Sequence, residues 1–257
     1  MIPVALTIAG SDPSGGAGIQ ADLKTFHQHG VYGEAVVTLL TVQNTVRVAR
    51  VEILAASFVA EQLQAVLEDI PPAAVKTGAL GSAEIIEAVA SLPFSGPLVV
   101  DPVLISKHGA PLATGEVVEA YRRHLIPRAT LITPNLAEAG RLLDREVQSL
   151  AAMRESARQL LDLGCQAALV KGGHLAAEPV DVLCSSEGLQ ELHAPRIATR
   201  NTHGTGCTYS AAITANLALG LPLAEAIGRA KRFITRALQT APALGGGFGP
   251  VNHFVSP

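Results

Sequence analysis

The segment Gly204-Thr205-Gly206-Cys207 carries the clearest chemical potential in the sequence. An apolar pattern follows it and predicts a long helix that extends to Leu219. Backbone amides at a helix N-terminus and the helix dipole together stabilise an anion, and glycine lets the backbone approach that anion closely. An isolated Gly-x-Gly is more often a tight turn, but here the nucleophilic side chain of Cys207 lies in the first helical turn, where the pKa of a thiol should fall. We therefore expect an anion-binding turn that carries a reactive thiol.

Charged side chains stand at the ends of two other apolar runs. Asp101 directly follows Leu98-Val99-Val100, which favours a magnesium or ligand role at a strand end over a solvated position. Lys171 ends a second buried run, whereas Lys107 lies in a loop, where an ordinary solvated lysine is the default interpretation. Glycines, amides, carboxylates and lysines at one edge of a sheet suit phosphates and magnesium.

A third strand end, Thr133-Pro134-Asn135, opens a helix. Glu138 stands three residues after Asn135, and this spacing is typical of a capping box. The capping box alone explains Glu138 without any metal.

The first loop, Ser11 to Gly18, is rich in glycine but matches no nucleotide-binding fingerprint. It has no Gly-Lys-Ser/Thr for a P-loop, and Gln43 stands at the end of the second strand, where a dinucleotide-binding unit has an acidic residue. Two interpretations stay open: a long flexible turn, or close approach of the backbone to a small ligand with Asp22 one helical turn further on.

The elements that must position these residues alternate between strand and helix, which predicts a doubly wound, mainly parallel α/β sheet with helices on both faces. A loose alternation over 45–53 predicts a surface ribbon or flap, and 180–193 resembles a hairpin. Ser57 is expected to cap a helix to Ile70, and Ser149 a helix to Leu163. The predicted strands are 4–9, 35–42, 74–77, 98–101, 131–133 and 167–171.

Composition excludes several classes of protein. The 257 residues are 48% hydrophobic and 16% charged, so the chain should be globular, and we expect one domain over 1–257. A net charge of −3 gives no basic field for nucleic acid, and no apolar stretch is long enough to span a bilayer. Three cysteines without a Cys-x-x-Cys spacing predict neither disulfides nor a zinc site. We expect a cytoplasmic protein in which Cys165 and Cys184 are core thiols.

Motifs along the whole chain resemble those of the hydroxymethylpyrimidine/phosphomethylpyrimidine kinases of thiamine biosynthesis, within the ribokinase-like superfamily. They are TIAGSDPSGGAGIQADLKTF (7–26), TVQNT (41–45), VKTGAL (75–80), VVDPVLISKHG (99–109), TPNLAEA (133–139), VKGGH (170–174), THGTGC (202–207) and GPVNHF (249–254). Two positions depart from the family's pattern: Ala79, where relatives commonly carry Met, and Phe248, where His is frequent.

The resemblance implies ATP-dependent phosphorylation, with Mg²⁺, of a hydroxymethylpyrimidine and then of its monophosphate. It implies catalytic roles for Gly204, Thr205, Gly206 and Cys207, with Lys107 on the phosphates. It further implies that the pyrimidine contacts Gly10, Asp22, Gln43 and Val103, that the nucleotide contacts Thr133, Asn135 and Lys171, and that Asp101 and Glu138 hold the metal.

Two other functions stay open. Vitamin B6 kinases share the implied sheet, the anion turn and a heteroaromatic hydroxymethyl substrate, so the acceptor distinguishes them. A non-catalytic small-molecule sensor on the same fold is an alternative of another class. Relatives are often dimers, and the ribbon at 45–53 can serve as a lid or as the interface of a homo-oligomer.

Overall fold

The computed structural model describes residues 2–104, 114–173, 175 and 179–257. A nine-stranded sheet organises this part of the chain. The strand order is β3-β2-β1-β4-β5-β6-β7-β8-β9. Strands from β2 across to β7 run parallel, and an antiparallel strand or hairpin closes each edge. The strands are β1 (Val4–Ser11), β2 (Tyr32–Gln43), β3 (Val48–Ile53), β4 (Ala74–Thr77), β5 (Leu98–Val100), β6 (Leu131–Ile132), β7 (Ala167–Val170), β8 (Val180–Ser185) and β9 (Gly188–His193).

Helices cover both faces of this sheet, which confirms the predicted α/β architecture. The helices are α1 (Gly18–Gln28), α2 (Ala56–Asp69), α3 (Ala83–Ser91), α4 (Gly115–Ala120), α5 (Leu136–Leu143), α6 (Leu150–Asp162), α7 (Thr205–Ala218) and α8 (Leu223–Gln239). A π-helical turn (Tyr121–Leu125) and a 3-10 turn (Ile126–Arg128) continue α4.

Two apolar cores lie on opposite faces because successive strand residues point in opposite directions. Val100 belongs to the core that α2 to α6 form, and its neighbour Val99 belongs to the core under α1, α7 and α8. Helix α7 is buried on all sides from Thr208 to Ala218, which its apolar composition permits. The start of α7 is therefore fixed against the sheet.

The strand order identifies where a ligand should bind. From β1 the chain proceeds to β2 on one side and later to β4 on the other, so the order reverses at β1. In open α/β sheets ligands bind beyond the carboxyl ends of the strands at such a reversal. The loop after β1, Gly78 after β4 and Asp101 after β5 all lie at this edge.

The ribbon of β2 and β3 forms the predicted flap. Its antiparallel pairing extends from Leu39 with Ile53 to Gln43 with Val48. Several large apolar side chains on and beside it are exposed, among them Leu40, Val42, Val46, Ile53 and Phe58. Within the described ranges, no helix is long and apolar enough to cross a membrane.

Helix caps test the sequence predictions locally. Asn135 caps α5 in a complete capping box, and Ser149 caps α6, as predicted. The prediction for Ser57 is wrong: α2 begins at Ala56, with Ala55 as its N-cap and no side-chain cap. The Leu54 amide still donates to the Thr38 carbonyl, so the chain leaves the sheet and turns into the helix before the serine hydroxyl is reached.

Candidate active site

The glycine turn before α7 packs backbone against backbone on the first loop. Gly204 has φ of +75°, and a Cβ at this position would collide with the Gly16 carbonyl oxygen. A Cβ on Gly206 would lie 3.3 Å from Lys171 Nζ and 3.8 Å from Asp101 Oδ2. Position 204 therefore needs glycine for its backbone conformation and for space, whereas a side chain at position 206 would crowd the end of Lys171. The predicted anion turn thus lies directly over a lysine and a carboxylate.

Asp101 is the polar centre beneath the turn. It is 2% exposed, and both oxygens accept hydrogen bonds: Oδ1 from Lys171 Nζ at 2.9 Å and Thr133 Oγ1 at 3.2 Å, Oδ2 from Ser210 Oγ at 3.1 Å. Burial opposes ionisation, but Lys171 and Lys76 hold the pKa of Asp101 below its usual value. The structure brings Asp101, Lys171 and Thr133 together, and it adds Ser210, which the sequence analysis did not identify.

Glu138 and Asn135 lie beside this group, where the chain passes from β6 into α5. The Glu138 side chain accepts a hydrogen bond from the backbone N–H of Asn135 at 2.8 Å, and Asn135 Oδ1 accepts one from the backbone N–H of Glu138 at 3.0 Å. Glu138 is 3% exposed, and burial raises its pKa to about 7 even though Lys171 opposes this rise. Glu138 is thus both a capping residue and a buried carboxyl beside Lys171.

The pKa of Cys207 differs from the sequence prediction. The position at the helix N-terminus predicts a lowered thiol pKa, but burial, reinforced by Asp22, raises the pKa of Cys207 to about 11. Lys76 and a hydrogen bond from the Gly18 backbone act in the opposite direction and do not compensate. In the ligand-free protein this half-buried cysteine is therefore a neutral thiol at neutral pH. Cys165 and Cys184 are buried core thiols, as predicted.

Asp12 and His203 join the first loop to the anion turn. Asp12 accepts from the amides of Ser14 and Ala17, each at 2.9 Å, and His203 Nε2 lies 2.7 Å from Asp12 Oδ2. Hydrogen bonds from His203 and Ser14 outweigh burial and hold the pKa of Asp12 below its usual value. Neither residue was predicted, because the two lie 191 positions apart and nothing local to either one reveals its partner.

The C-terminal segment completes this edge. His203 forms a parallel bridge with Pro250, and the Phe248 amide donates to the Thr45 carbonyl in the flap at 2.8 Å. Further along, His253 Nε2 lies 3.0 Å from Thr208 Oγ1 at the start of α7. The tail therefore contacts both the flap and the anion turn.

The residues expected to contact the pyrimidine differ in how far they are exposed to solvent. Gly10 ends the buried part of β1, Gln43 is half-buried at the end of β2, and Val103 is half-buried after β5. The Gln43 amide nitrogen lies 3.3 Å from His203 Nε2. Asp22 differs, because it has no exposed surface and lies beneath this wall rather than in it. A direct contact between Asp22 and a ligand would need neighbouring side chains to move.

Two positions named from the sequence, Lys107 and His174, lie outside the described residues. Across the described ranges, no group of three or more His, Cys, Asp or Glu side chains is arranged to hold a metal ion. Magnesium, however, is usually held by one or two carboxylates together with substrate phosphates and water. Asp101 and Glu138 are buried carboxyl groups, the charge of Asp101 helps to raise the pKa of Glu138, and both have the hard oxygen donors that suit this ion.

The arrangement suits transfer of a phosphoryl group. Such a reaction needs positioning and neutralisation of charge more than covalent catalysis. The amides of the first turn of α7 and the Lys171 ammonium are groups that could neutralise anionic oxygens, and Cys207 lies on the same turn.

Known proteins match this chain closely. The family described as Phosphomethylpyrimidine kinase matches residues 12–252. The thiamine biosynthesis bifunctional protein ThiED of Geobacter sulfurreducens is 49% identical over 98% of this chain, which spans about half (52%) of that relative's length. A hydroxymethylpyrimidine/phosphomethylpyrimidine kinase of Synechococcus elongatus is 47% identical, over 98% of each chain. An ADP complex of Bacillus subtilis pyridoxal kinase has a TM-score of 0.92 and 40% identity, also over 98% of each chain.

Proposed function

The chain belongs to the phosphomethylpyrimidine kinase family, and on this premise we propose that it phosphorylates 4-amino-5-hydroxymethyl-2-methylpyrimidine with ATP and then phosphorylates the monophosphate to the diphosphate. The observation that carries the proposal is the anion turn Gly204–Gly206, which lies over the ion pair of buried Asp101 and partly buried Lys171. The turn would supply hydrogen-bond donors and the pair a positive charge, and both would stabilise the negative charge on one side of a phosphoryl group during its transfer.

The nucleotide phosphates bind at the start of α7 in this proposal. The first amides of a helix have no intrahelical acceptor, so those of Gly206 and Cys207 are free for phosphate oxygens. Lys171 contributes a positive charge from the end of β7, and Thr133 and Asn135 line the same edge from the end of β6. Lys107 is proposed as a further phosphate contact on the basis of the family motif alone.

Asp101 and Glu138 would hold Mg²⁺. The bound ion would supply charge neutralisation at the β- and γ-phosphates of ATP. In the ligand-free protein Lys171 occupies Asp101 Oδ1, and Thr133 and Ser210 fix the orientation of the carboxylate. The protein therefore keeps Asp101 ionised and oriented before any substrate binds.

The acceptor binds between the first loop and the flap in this proposal. An aminopyrimidine carries an amino donor beside a ring-nitrogen acceptor, and the amide of Gln43 can pair with both. Gly10 and Val103 complete the wall. In the first reaction the acceptor hydroxyl oxygen bonds to the γ-phosphorus while the bond to the bridging oxygen of ADP breaks. The hydroxyl proton is accepted by the Cys207 sulfur in its thiolate form.

A specific observation favours a second acceptor, because the structural likeness to a pyridoxal kinase extends over nearly the whole chain. Pyridoxal carries a hydroxymethyl group on a heteroaromatic ring of similar size. The test is kcat/KM with hydroxymethylpyrimidine and with pyridoxal under Mg-ATP. We expect the pyrimidine to be preferred, and the reverse order would make the protein a vitamin B6 kinase. Absence of ATP turnover with either acceptor would favour a sensor.

We propose that the protein acts as a cytoplasmic homodimer of one-domain chains. The exposed apolar side chains of the flap, Leu40, Val42, Val46 and Ile53, support an interface there. Light scattering coupled to size-exclusion chromatography measures the mass, and a monomer at micromolar concentration would contradict this assembly.

A further inference from the structure

Lys76 and Asp22 form an ion pair that is completely removed from solvent. Lys76 Nζ lies 2.9 Å from Asp22 Oδ2, and neither side chain has exposed surface. Thr7 Oγ1 donates to the same oxygen at 2.6 Å. Burying two charges costs several kcal/mol per ion, and apolar residues of the same volume often stabilise a protein equally well. The pair therefore calls for an explanation beyond stability.

The pair lies beneath the acceptor side of the site. Lys76 is on β4 and pairs with Thr7 of β1, and a Cβ on Gly78 at the end of β4 would lie 3.4 Å from Lys76 Nζ. Asp22 comes from α1, which packs against α7. The buried Lys76 ammonium therefore lies near the ends of β1 and β4 and beside α1. The first loop follows β1, and α1 packs against α7, which the anion turn precedes.

Charged groups from four elements act electrostatically on Cys207. Asp22 of α1 and Asp101 after β5 disfavour a negative charge on the sulfur, whereas Lys76 of β4 favours it, and Lys171 after β7 is a second cation within electrostatic range. Asp22 has the larger effect of the two carboxylates. Burial raises the pKa of Asp22 and Lys76 opposes this rise, so the lysine both favours the ionised carboxylate and offsets its charge at the sulfur.

The Asp22 carboxylate is held by one oxygen only. Oδ2 accepts both hydrogen bonds, and Oδ1 is buried with no hydrogen-bond partner among the residues that the structure describes. Removing Lys76 would leave Thr7 as the sole donor to a buried carboxylate. The lysine therefore fixes the position of Asp22 as well as offsetting its charge.

We propose that Lys76 is a positioning residue, which orients Asp22 and offsets its charge so that a negative charge can form on Cys207 beside the acceptor. This deepens the proposed function and rests on it for the identity of the acceptor. The step served is the one already described: the acceptor hydroxyl loses its proton to the Cys207 thiolate as its oxygen bonds to the γ-phosphorus and ADP leaves.

The test measures Cys207 itself in the ligand-free protein. The variants are Lys76→Met, the double variant Asp22→Asn with Lys76→Met, and the control Thr7→Val, which removes one donor to Asp22 without changing any charge. Alkylation by iodoacetamide is followed by intact mass from pH 7 to pH 10. Because Cys165 and Cys184 are buried, Cys207 is the cysteine that reacts, and a Cys207→Ala protein supplies the background.

Lys76→Met should alkylate about tenfold more slowly than the parent at each pH below the midpoint, since an opposite charge near a titrating group is removed. The double variant should return to within about threefold of the parent rate, because the Asp22 charge is removed too. Thr7→Val should match the parent.

A folded Lys76→Met protein that alkylates at the parent rate would overturn the proposal, as would a double variant that is as slow as Lys76→Met. If circular dichroism shows that Lys76→Met does not fold, the double variant decides: the parent rate or a faster one supports the proposal, and tenfold slower alkylation overturns it. These rates do not depend on turnover. Expected alkylation in a parent protein that phosphorylates no pyrimidine would therefore reject only the proposed function.

Discussion

His203 Nε2 and Asp12 Oδ2 are 2.7 Å apart, and this contact is the direct side-chain link between the first loop and the anion turn. Both side chains are 4% exposed, so the link is shielded from water. The first loop and the anion turn are thus held as one unit.

Asp12→Asn should weaken this unit. The amide oxygen can still accept from the loop backbone, but the carboxylate that pairs with His203 is lost, at a cost of about 1–3 kcal/mol in unfolding free energy. KM for the pyrimidine should rise as the loop loosens. Urea titration and steady-state kinetics measure both effects. Ser14→Ala, which removes one exposed partner of Asp12, is the control and should cost less. An Asp12→Asn protein with the parent's stability would show that the contact contributes nothing.

Gly206→Ala should reduce kcat for both acceptors. The added Cβ would lie 3.3 Å from Lys171 Nζ, so the lysine must shift in the space where phosphate is proposed to bind. Gly228→Ala on α8 is the matched control, because its Cβ meets nothing closer than Arg232 at 3.8 Å and should raise helix stability slightly. Equal turnover in the two variants would remove the anion turn from the phosphate site.

Asp101→Asn should lower kcat for every acceptor while the protein still folds. Thr133 and Ser210 can still bond to the amide, but Lys171 loses its ionic partner and magnesium loses a charged ligand. Initial rates at saturating Mg-ATP and circular dichroism provide the two readouts. Parent turnover in a folded variant would exclude Asp101 from the metal site.

Cys207 should give the first reaction a pH dependence that the second lacks. With a pKa of about 11, the thiolate fraction increases about tenfold per pH unit below that value, so kcat for the alcohol should rise from pH 7 to pH 9. The monophosphate has a second pKa near 6 and needs no base at neutral pH. In Cys207→Ala the alcohol reaction should slow more than the monophosphate reaction and lose this slope. Equal losses in both reactions would mean that Cys207 only shapes the anion turn.

His253 should make the protein less stable in acid. Burial lowers its pKa to about 4, whereas the unfolded chain takes up this proton near pH 6.5. Protons therefore favour the unfolded state between these values, and the parent should lose about 2 kcal/mol between pH 7.5 and pH 5 through this residue. His253→Gln can still accept from Thr208, and its unfolding free energy should fall less over the same range. Parallel pH curves for the two proteins would contradict this linkage.

Much of the architecture could be predicted from patterns within short windows. The apolar runs located the parallel strands, and Asn135 with Glu138 revealed the start of α5, because capping depends on residues three apart. The prediction that Ser57 caps α2 was wrong because it used only neighbouring residues. A backbone hydrogen bond between Leu54 and β2 determines where α2 begins.

The position of the glycine turn and of Asp101 at one edge of the sheet was predictable, but the electrostatics there were not. A helix N-terminus favours a lowered thiol pKa, but burial and the nearby Asp22 and Asp101, which no local pattern reveals, raise the pKa of Cys207. Lys76 reads as a polar residue at a strand end, and only the folded chain shows it paired with Asp22, 54 positions away. Contacts of that range have no local pattern.

Residues 245–257 join parts of the molecule that lie far apart in the chain. All nine strands of the described sheet precede this segment, so it adds no strand to the fold. Yet Gly247 bonds to Thr45, 202 positions earlier, and His253 to Thr208, 45 positions earlier. The segment therefore crosses the edge of the sheet, and Val251 anchors it in the core under α1, α7 and α8. Deletion of residues 252–257 would remove the contact of His253 with Thr208 and free this segment from the start of α7.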